Sequence, residues 1–461
     1  MTIDQAIDSM REELISTVQR MVRLESVKAE PLPGKPFGAN IDFCYRTMLD
    51  ICEQLGFSTA DFDGYAGHAE IGEGEKVIGI LGHLDTVPFG EGWELEPCSG
   101  ALIDGKIYGR GVMDDKGPLI ACLFAVKALQ KAGIPFSKRI RVIFGLDEES
   151  NWSCMDHYLP LAGEPDLSFT PDGAFPVIYG EKGLCTFSLN TVLPQEPDAE
   201  TVLCSLHGGD RPNMVPDHCC AKLASQMDLA PVLAELNRQY PDRFLAERNQ
   251  NHWVVETKGL SAHGSTPEKG INAVTLMMLF LRELDLSECV HTAVIAYLEK
   301  FAAVDGSGVD CALEDEISGA LTMNVGVADY SESALRLVVN IRYPIAYREK
   351  EIYDRIRRSI RGTGYMLEHI DGKMPLYLDP HSPLVVKLMK AYEEVTGDYE
   401  HPPITIGGGT YARAVKNAVA FGPIFPGHPE VGHKKNEWAS VDDLMMCAKV
   451  YAKALEELMR D

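Results

Sequence analysis

Four short polar clusters in this 461-residue chain each follow an apolar run. They are His83 and Asp85 in GHLD, Asp114 and Asp115 in YGRGVMDDKG, Glu148 and Glu149 in GLDEES, and Asp172 in FTPDG. Taken singly, a His-x-Asp is most simply a hydrogen-bonded strand end, and an acidic pair is most simply a solvated turn. Several carboxylates converging on one crevice, however, repel one another unless a cation neutralises them. Imidazole and carboxylate donors without thiolates suit Zn²⁺, Mn²⁺ or Co²⁺, and a carboxylate shared by two ions suits a co-catalytic pair ~3.5–4 Å apart.

Such residues need a scaffold that gathers them at one edge. VIGIL before His83, RVIFGL before Asp147 and LSFT before Asp172 read as buried strands, and PLIACLFAVKALQKAG after Lys116 reads as an intervening helix. That order predicts an α/β sheet with covering helices, and ligands of open α/β sheets bind outside the carboxyl ends of the strands. From about Cys185 the texture changes. Strand-like TFSLNTV, LTMNVGV and LRLVVNIRYP alternate with helix-like INAVTLMMLFLRELDL and REKEIYDRIRRSIRGT, and the first texture returns near PLYLDPHSPLVVKLMK. The expected organisation is a catalytic domain in two parts, 1–184 and 375–461, interrupted by an α+β insertion over 185–374.

Composition narrows the function classes. A formal net charge of −25 repels phosphate backbones and anionic headgroups, so neither nucleic acid nor a membrane surface is an expected partner. No segment is long and apolar enough to span a bilayer, and the N-terminal stretch lacks the uninterrupted apolar core of a signal peptide. Twelve cysteines without a Cys-x-x-Cys pair point to neither a disulfide framework nor a zinc-thiolate site, so a reducing cytoplasm is expected.

His83-x-Asp85, GRGVMDDKG, DEES, TPDG, SAHGSTPEKGINA and the late His433 together resemble the motif set of the di-metal aminoacylase and carnosinase metallopeptidase family. RPNMVP, NIRYP and ITIGGGTYAR are most similar to its PepV-type bacterial dipeptidases. The resemblance implies a mixed sheet flanked by helices with an inserted α+β lid, and two divalent ions per chain, Zn²⁺ before Mn²⁺ or Co²⁺. It gives His83 and Asp172 to one ion and Glu149 and His433 to the other, with Asp114 bridging across an Asp114–Asp115 peptide expected to be cis. Asp85 would orient His83, its carboxylate accepting the free ring N–H. Glu148 would be the general base acting on a di-metal-activated water. In the tail GPIFPGHPEVGHKKNEW, His428 is the competing ligand; His433 is preferred because Glu437 supplies the acid that the family pattern places four residues on.

The same resemblance assigns His263 to the oxyanion of the tetrahedral intermediate, and Asn213 and Arg342 to the substrate, Arg342 facing its carboxylate. Gly408, Gly409 and Thr410 would present N–H groups to that carboxylate, with a weaker case for Arg413. The remaining nine histidines read as structural. The expected protein is a cytoplasmic, monomeric dipeptidase acting on small peptides. Its rivals are an N-acyl-amino-acid deacylase of the same fold and a non-catalytic binding protein on that scaffold.

Overall fold

The run that ends at His83 forms the strand Val77–His83, buried at every residue, as an apolar strand covered on both faces must be. It lies between Arg139–Gly145 and Leu167–Thr170, parallel to both, and Ala418–Ala420 continues the parallel set beyond Leu167–Thr170. Antiparallel neighbours, Ala66–Ile71 with Ser58–Phe62 on one side and Ile178–Glu181 on the other, extend the sheet. Register aligns His83 with Gly145, so the segments after the two strands leave from the same edge.

The structure is a computed structural model that describes residues 1–194 and 199–460. Contacts divide the chain into two units. The first comprises Met1–Gly180, Tyr377–Thr405 and Gly409–Asp461; the second comprises Glu181–Leu376 and Ile406–Gly408. The expected insertion over 185–374 compares with Glu181–Leu376, and the three residues contributed from Ile406–Gly408 left no signal in the sequence.

In the first unit the helix Lys116–Ala132 starts directly after Asp115 and packs against Val441–Met459, whose N-cap Ser440 accepts from Asp443 N–H. A Cβ on Gly82 would stand 2.5 Å from both Asp115 Oδ2 and Leu119 Cδ1, so only glycine lets this helix start press onto the His83 strand. Among the described residues no helix is long and apolar enough to cross a membrane.

The second unit holds an antiparallel eight-stranded sheet in the order Phe244–Asn249, His252–Lys258, His218–Ser225, Thr201–Gly208, Thr322–Ser331, Ala334–Tyr343, Gly183–Val192, Met366–Lys373. Its strands alternate buried and less buried residues, the pattern of a sheet with one face in a core. Residues of Ala230–Gln239, Ala273–Arg282, Glu288–Lys300 and Glu349–Ser359 complete that core, among them Leu233, Val274, Val290 and Ile352.

Candidate metal centre and substrate residues

Strand ends deliver the first unit's polar clusters. His83 closes its own strand, Asp85 follows two residues on, Glu148 and Glu149 follow Arg139–Gly145, and Asp172 follows Leu167–Thr170. Asp114 stands just ahead of the helix Lys116–Ala132, and its peptide bond to Asp115 is cis.

Asp114 is the centre of the cluster. Its Oδ1 lies 2.9 Å from His83 Nε2 and its Oδ2 lies 2.8 Å from His433 Nε2, one oxygen toward each ring. Asp172 Oδ2 is 3.8 Å from His83 Nε2, and Glu149 Oε1 is 2.8 Å from His433 Nε2. Two groups therefore form, His83–Asp114–Asp172 and Asp114–Glu149–His433, with donor atoms inside each within 4.8 Å of one another. His428 is in neither; its Nδ1 pairs with Asp443 Oδ2 at 3.0 Å.

Electrostatics show what the cluster lacks by itself. Burial, then the charge of Asp114, pushes Asp172 up to about 7. Burial raises Glu148 well above the usual carboxylate range, with Asp172, Glu149 and Asp85 adding to it and His83 opposing. Burial and Asp114 raise Glu149 as well. Burial would raise Asp114 too, but the two imidazoles hold it far below its ordinary value. Carboxylates in such mutual repulsion are relieved by cations. Two imidazoles, three carboxylates and no thiolate are a donor set that fits borderline-hard divalent ions.

Asp85 is placed differently from its expected contact. The His83 Nδ1 lies 2.9 Å from the main-chain carbonyl of Asp85, and the carboxylate Oδ1 is farther, at 3.6 Å. The carboxylate is drawn instead to two backbone donors, Glu148 N–H at 3.1 Å and Glu149 N–H at 3.0 Å. Asp85 thus links the histidine to the acidic turn. The turn is further closed by Trp152, whose indole N–H donates to Glu148 O at 2.8 Å, and by buried Asp147, which accepts from Ser153 N–H and Oγ–H and from Lys28 Nζ.

Behind the candidate ligands, Arg110 Nη1 meets Glu437 Oε2 at 2.7 Å while Glu437 Oε1 accepts from Met113 N–H at 2.9 Å. Arg110 also donates to the carbonyls of His433 and Lys434. The acid four residues after His433 therefore fastens the His433 loop to the segment that enters Asp114. Glu437 carried a sequence signal; Arg110 and Asp147 lie inside the GRGVMDDKG and GLDEES motifs but had no role read for them, and Trp152 carried no signal.

The second unit gathers another set. Asn213 O accepts from Gly264 N–H at 2.7 Å, and Met214 bridges to His263. His263 Nδ1 is 2.6 Å from Ser265 Oγ and receives Ser265 N–H at 3.3 Å, which leaves the ring proton on Nε2. Buried Asn324 donates to the carbonyls of Pro212 and Met214 at 3.0 and 2.8 Å, holding the loop that carries Asn213. Arg342 is buried and donates through Nη1 to Gly407 O at 3.2 Å. A Cβ on Gly407 would lie 2.8 Å from Ser265 Cβ, so this close approach requires glycine. Within this unit the structure brings Asn213, His263, Arg342 and the Ile406–Gly408 segment into one neighbourhood. The GGGT run is divided: Gly408 counts with this unit, Gly409 and Thr410 with the other, where Thr410 Oγ1 accepts from Ala412 N–H. Asn324 and Asn340 were missed by the sequence reading; the signal available was an amide inside an apolar strand, where asparagine is disfavoured.

Comparison with known proteins gives this geometry a family. A Bacillus subtilis (strain 168) protein named "Putative dipeptidase YtjP" is 38% identical over 459 residues, covering 98% of each chain. "Putative dipeptidase SH1171" of Staphylococcus haemolyticus is 33% identical over 465 residues, again covering 98% of both. The fold is shared with human carnosine dipeptidase 1, at a TM-score of 0.63 and 14% identity, covering 100% of this chain and 98% of that one. Residues 79–457 match the family described as peptidase family M20/M25/M40. The chain belongs to peptidase family M20/M25/M40, and its fold is that family's metallopeptidase catalytic domain carrying an inserted α+β lid.

Proposed function

We propose that this protein is a metal-dependent dipeptidase that cleaves the peptide bond of short substrates with a free carboxylate. The observation that carries the reading is Asp114, whose two oxygens face two histidines, each completed by a further carboxylate, with Glu148 beside them and outside both groups. The names of its relatives support the choice of dipeptides.

His83 and Asp172 would hold one divalent ion, Glu149 and His433 a second, and Asp114 both, with zinc the first choice and manganese or cobalt the alternatives. Bound there, the ions supply Lewis acidity, polarising a carbonyl and acidifying water. Glu148 takes a proton from the attacking water as its oxygen bonds to the carbonyl carbon, and returns that proton to the nitrogen as the C–N bond breaks. Burial suits Glu148 to this, because it raises the carboxylate's proton affinity. Asp85 fixes the backbone from which Glu148 and Glu149 project. His263 donates to the carbonyl oxygen as it gains charge, and Arg342 is a fork-shaped donor for the substrate carboxylate, with Asn213, Gly408, Gly409 and Thr410 as further contacts. The two units serve as catalytic and lid domains, and the chain works as a monomer. Twelve free cysteines support a reducing, cytoplasmic setting.

The test joins elemental analysis to a substrate panel. Expected are bound divalent metal, turnover of unmodified dipeptides and poor turnover of N-acetylated amino acids. Glu148→Gln should keep near wild-type metal content and lose turnover by ~10²–10⁴-fold, while His83→Ala and Asp114→Ala lose metal and activity together. A preference for N-acetyl amino acids would establish the deacylase reading instead, and loaded protein inert on the whole panel the binding-protein reading.

A further inference from the structure

In the second unit's sheet, three neighbouring strands place polar residues in one register row: Thr186 and Asn324 each stand opposite Asn340. The row beside it sets Leu184 and Thr322 opposite Arg342. Asn340 is 4% exposed and sits in the otherwise apolar stretch LVVNI, an expensive place for an amide unless its hydrogen bonds are made. They are made in one direction only. Arg342 Nε–H donates to Asn340 Oδ1 at 2.9 Å, and Asn340 Nδ2–H donates to Thr186 Oγ1 at 2.9 Å. Because a guanidinium can only donate, the amide must turn its oxygen to Arg342 and its nitrogen to Thr186.

The geometry points to Asn340 as a positioning residue that aims the Arg342 guanidinium at the substrate's carboxylate without cancelling its charge, so that the pair selects peptides with a free C-terminal carboxylate over amidated ones. This rests on the reading of Arg342 as the carboxylate's partner. Two acceptors that hold Arg342 are the Asn340 amide oxygen and the peptide carbonyl of Gly407, and neither brings a charge to the guanidinium. A carboxylate at position 340 would hold the guanidinium in the same place, yet its charge would compete with the substrate's. An apolar side chain would leave the charge and lose the aim. Position therefore needs a neutral acceptor, and asparagine is the residue whose reach and polarity meet both demands.

The experiment compares alanyl-alanine with alanyl-alanine amide on metal-loaded wild type, Asn340→Asp, Asn340→Leu and Arg342→Leu, with metal content and circular dichroism as checks of integrity. Asn340→Asp should raise KM for alanyl-alanine by ~10–100-fold with kcat within ~3-fold, and leave the amide's kcat/KM unchanged. The preference for the free carboxylate then shrinks by the same factor. Asn340→Leu should shrink it by ~10-fold, and serves alone should the aspartate variant not fold. A purely structural role predicts the opposite order, with the isosteric aspartate near wild type and leucine damaged on both substrates. A wild-type preference in both Asn340 variants overturns the inference. If Arg342→Leu collapses the preference while they do not, only the role of Asn340 falls; if Arg342→Leu keeps it too, the assignment of Arg342 falls and this inference with it.

Discussion

Removing the charge of Glu437 should cost the first unit about 3 kcal/mol and, on the proposed function, weaken metal binding, although Glu437 is in neither group of candidate ligands. The side chains of Glu437 and Arg110 are 0% and 3% exposed, and they meet at 2.7 Å. Breaking a buried pair from one side costs ~3–5 kcal/mol, because the charge left behind has lost its solvent and its partner. Glu437→Gln sits at the low end of that range. Its amide oxygen still serves Met113 N–H, and Arg110 keeps the carbonyls of Pro88, Phe89, His433 and Lys434 and the face of Trp93. Burial first, then Asp114, pushes the Glu437 carboxyl up to about 6, so measurements belong near pH 8, where it is ionised. The assay is urea unfolding with excess chelator, so that lost metal is not counted twice, followed by competition titration of metal affinity. Affinity should fall ~10–100-fold, since Glu437 holds both the His433 loop and the approach to Asp114. Adding Arg110→Met should restore part of the lost stability, because it removes the stranded charge. Equal stability of Glu437→Gln and wild type to within ~0.5 kcal/mol, or a double variant less stable than the sum of the singles, would refute the reasoning.

Two further outcomes are expected. Buried His68 shares a hydrogen bond between its Nδ1 and Tyr158 OH at 2.8 Å, and burial, then Arg141 and Arg139, against Glu70, lowers it to about 4. Between pH ~6.5 and about 4 the unfolded chain binds a proton that the native state refuses, so stability is full above 6.5 and falls by at most about 3 kcal/mol as pH drops through that window. His68→Gln should flatten this slope in urea midpoints between pH 7 and 5, and parallel curves would contradict it. Mixing His263→Ala with Glu148→Gln under subunit-exchanging conditions should recover no activity; recovery would mean that chains share a site.

Of the candidate metal residues, His83, Glu149 and Asp172 were legible because each closes or follows a strand buried along its length, and such strands read as unbroken apolar runs whose polar successor stands out; Asp114, ahead of a helix, and His433, in a loop, were legible only through the resemblance. The insertion was legible for a related reason: its strands expose one face, and their mixed pattern differs from VIGIL or RVIFGL. Partners set by tertiary register were not legible. Nothing local places Asn340 between Thr186, 154 residues away, and Arg342. Nor does anything local send the Asp85 carboxylate to the N–H groups of Glu148 and Glu149, 63 and 64 residues on. The choice of His433 over His428 rested on Glu437, and the structure supplies the physical content of that spacing as the tie to Arg110 and Met113.

The chain enters or leaves the second unit at four places, because Ile406–Gly408 belongs to it although Glu181–Leu376 is complete in sequence. The unit is therefore not a removable cassette. Cutting out residues 181–376, or grafting them onto another scaffold, strands three residues on the wrong side of the cut. The graft would carry Arg342 without the Gly407 carbonyl that it donates to, and the loop at Ser265 without the backbone packed on it. Any transplant of this unit has to bring a second, three-residue piece from thirty residues downstream, so recombination between relatives at the two obvious junctions exchanges less than the whole unit.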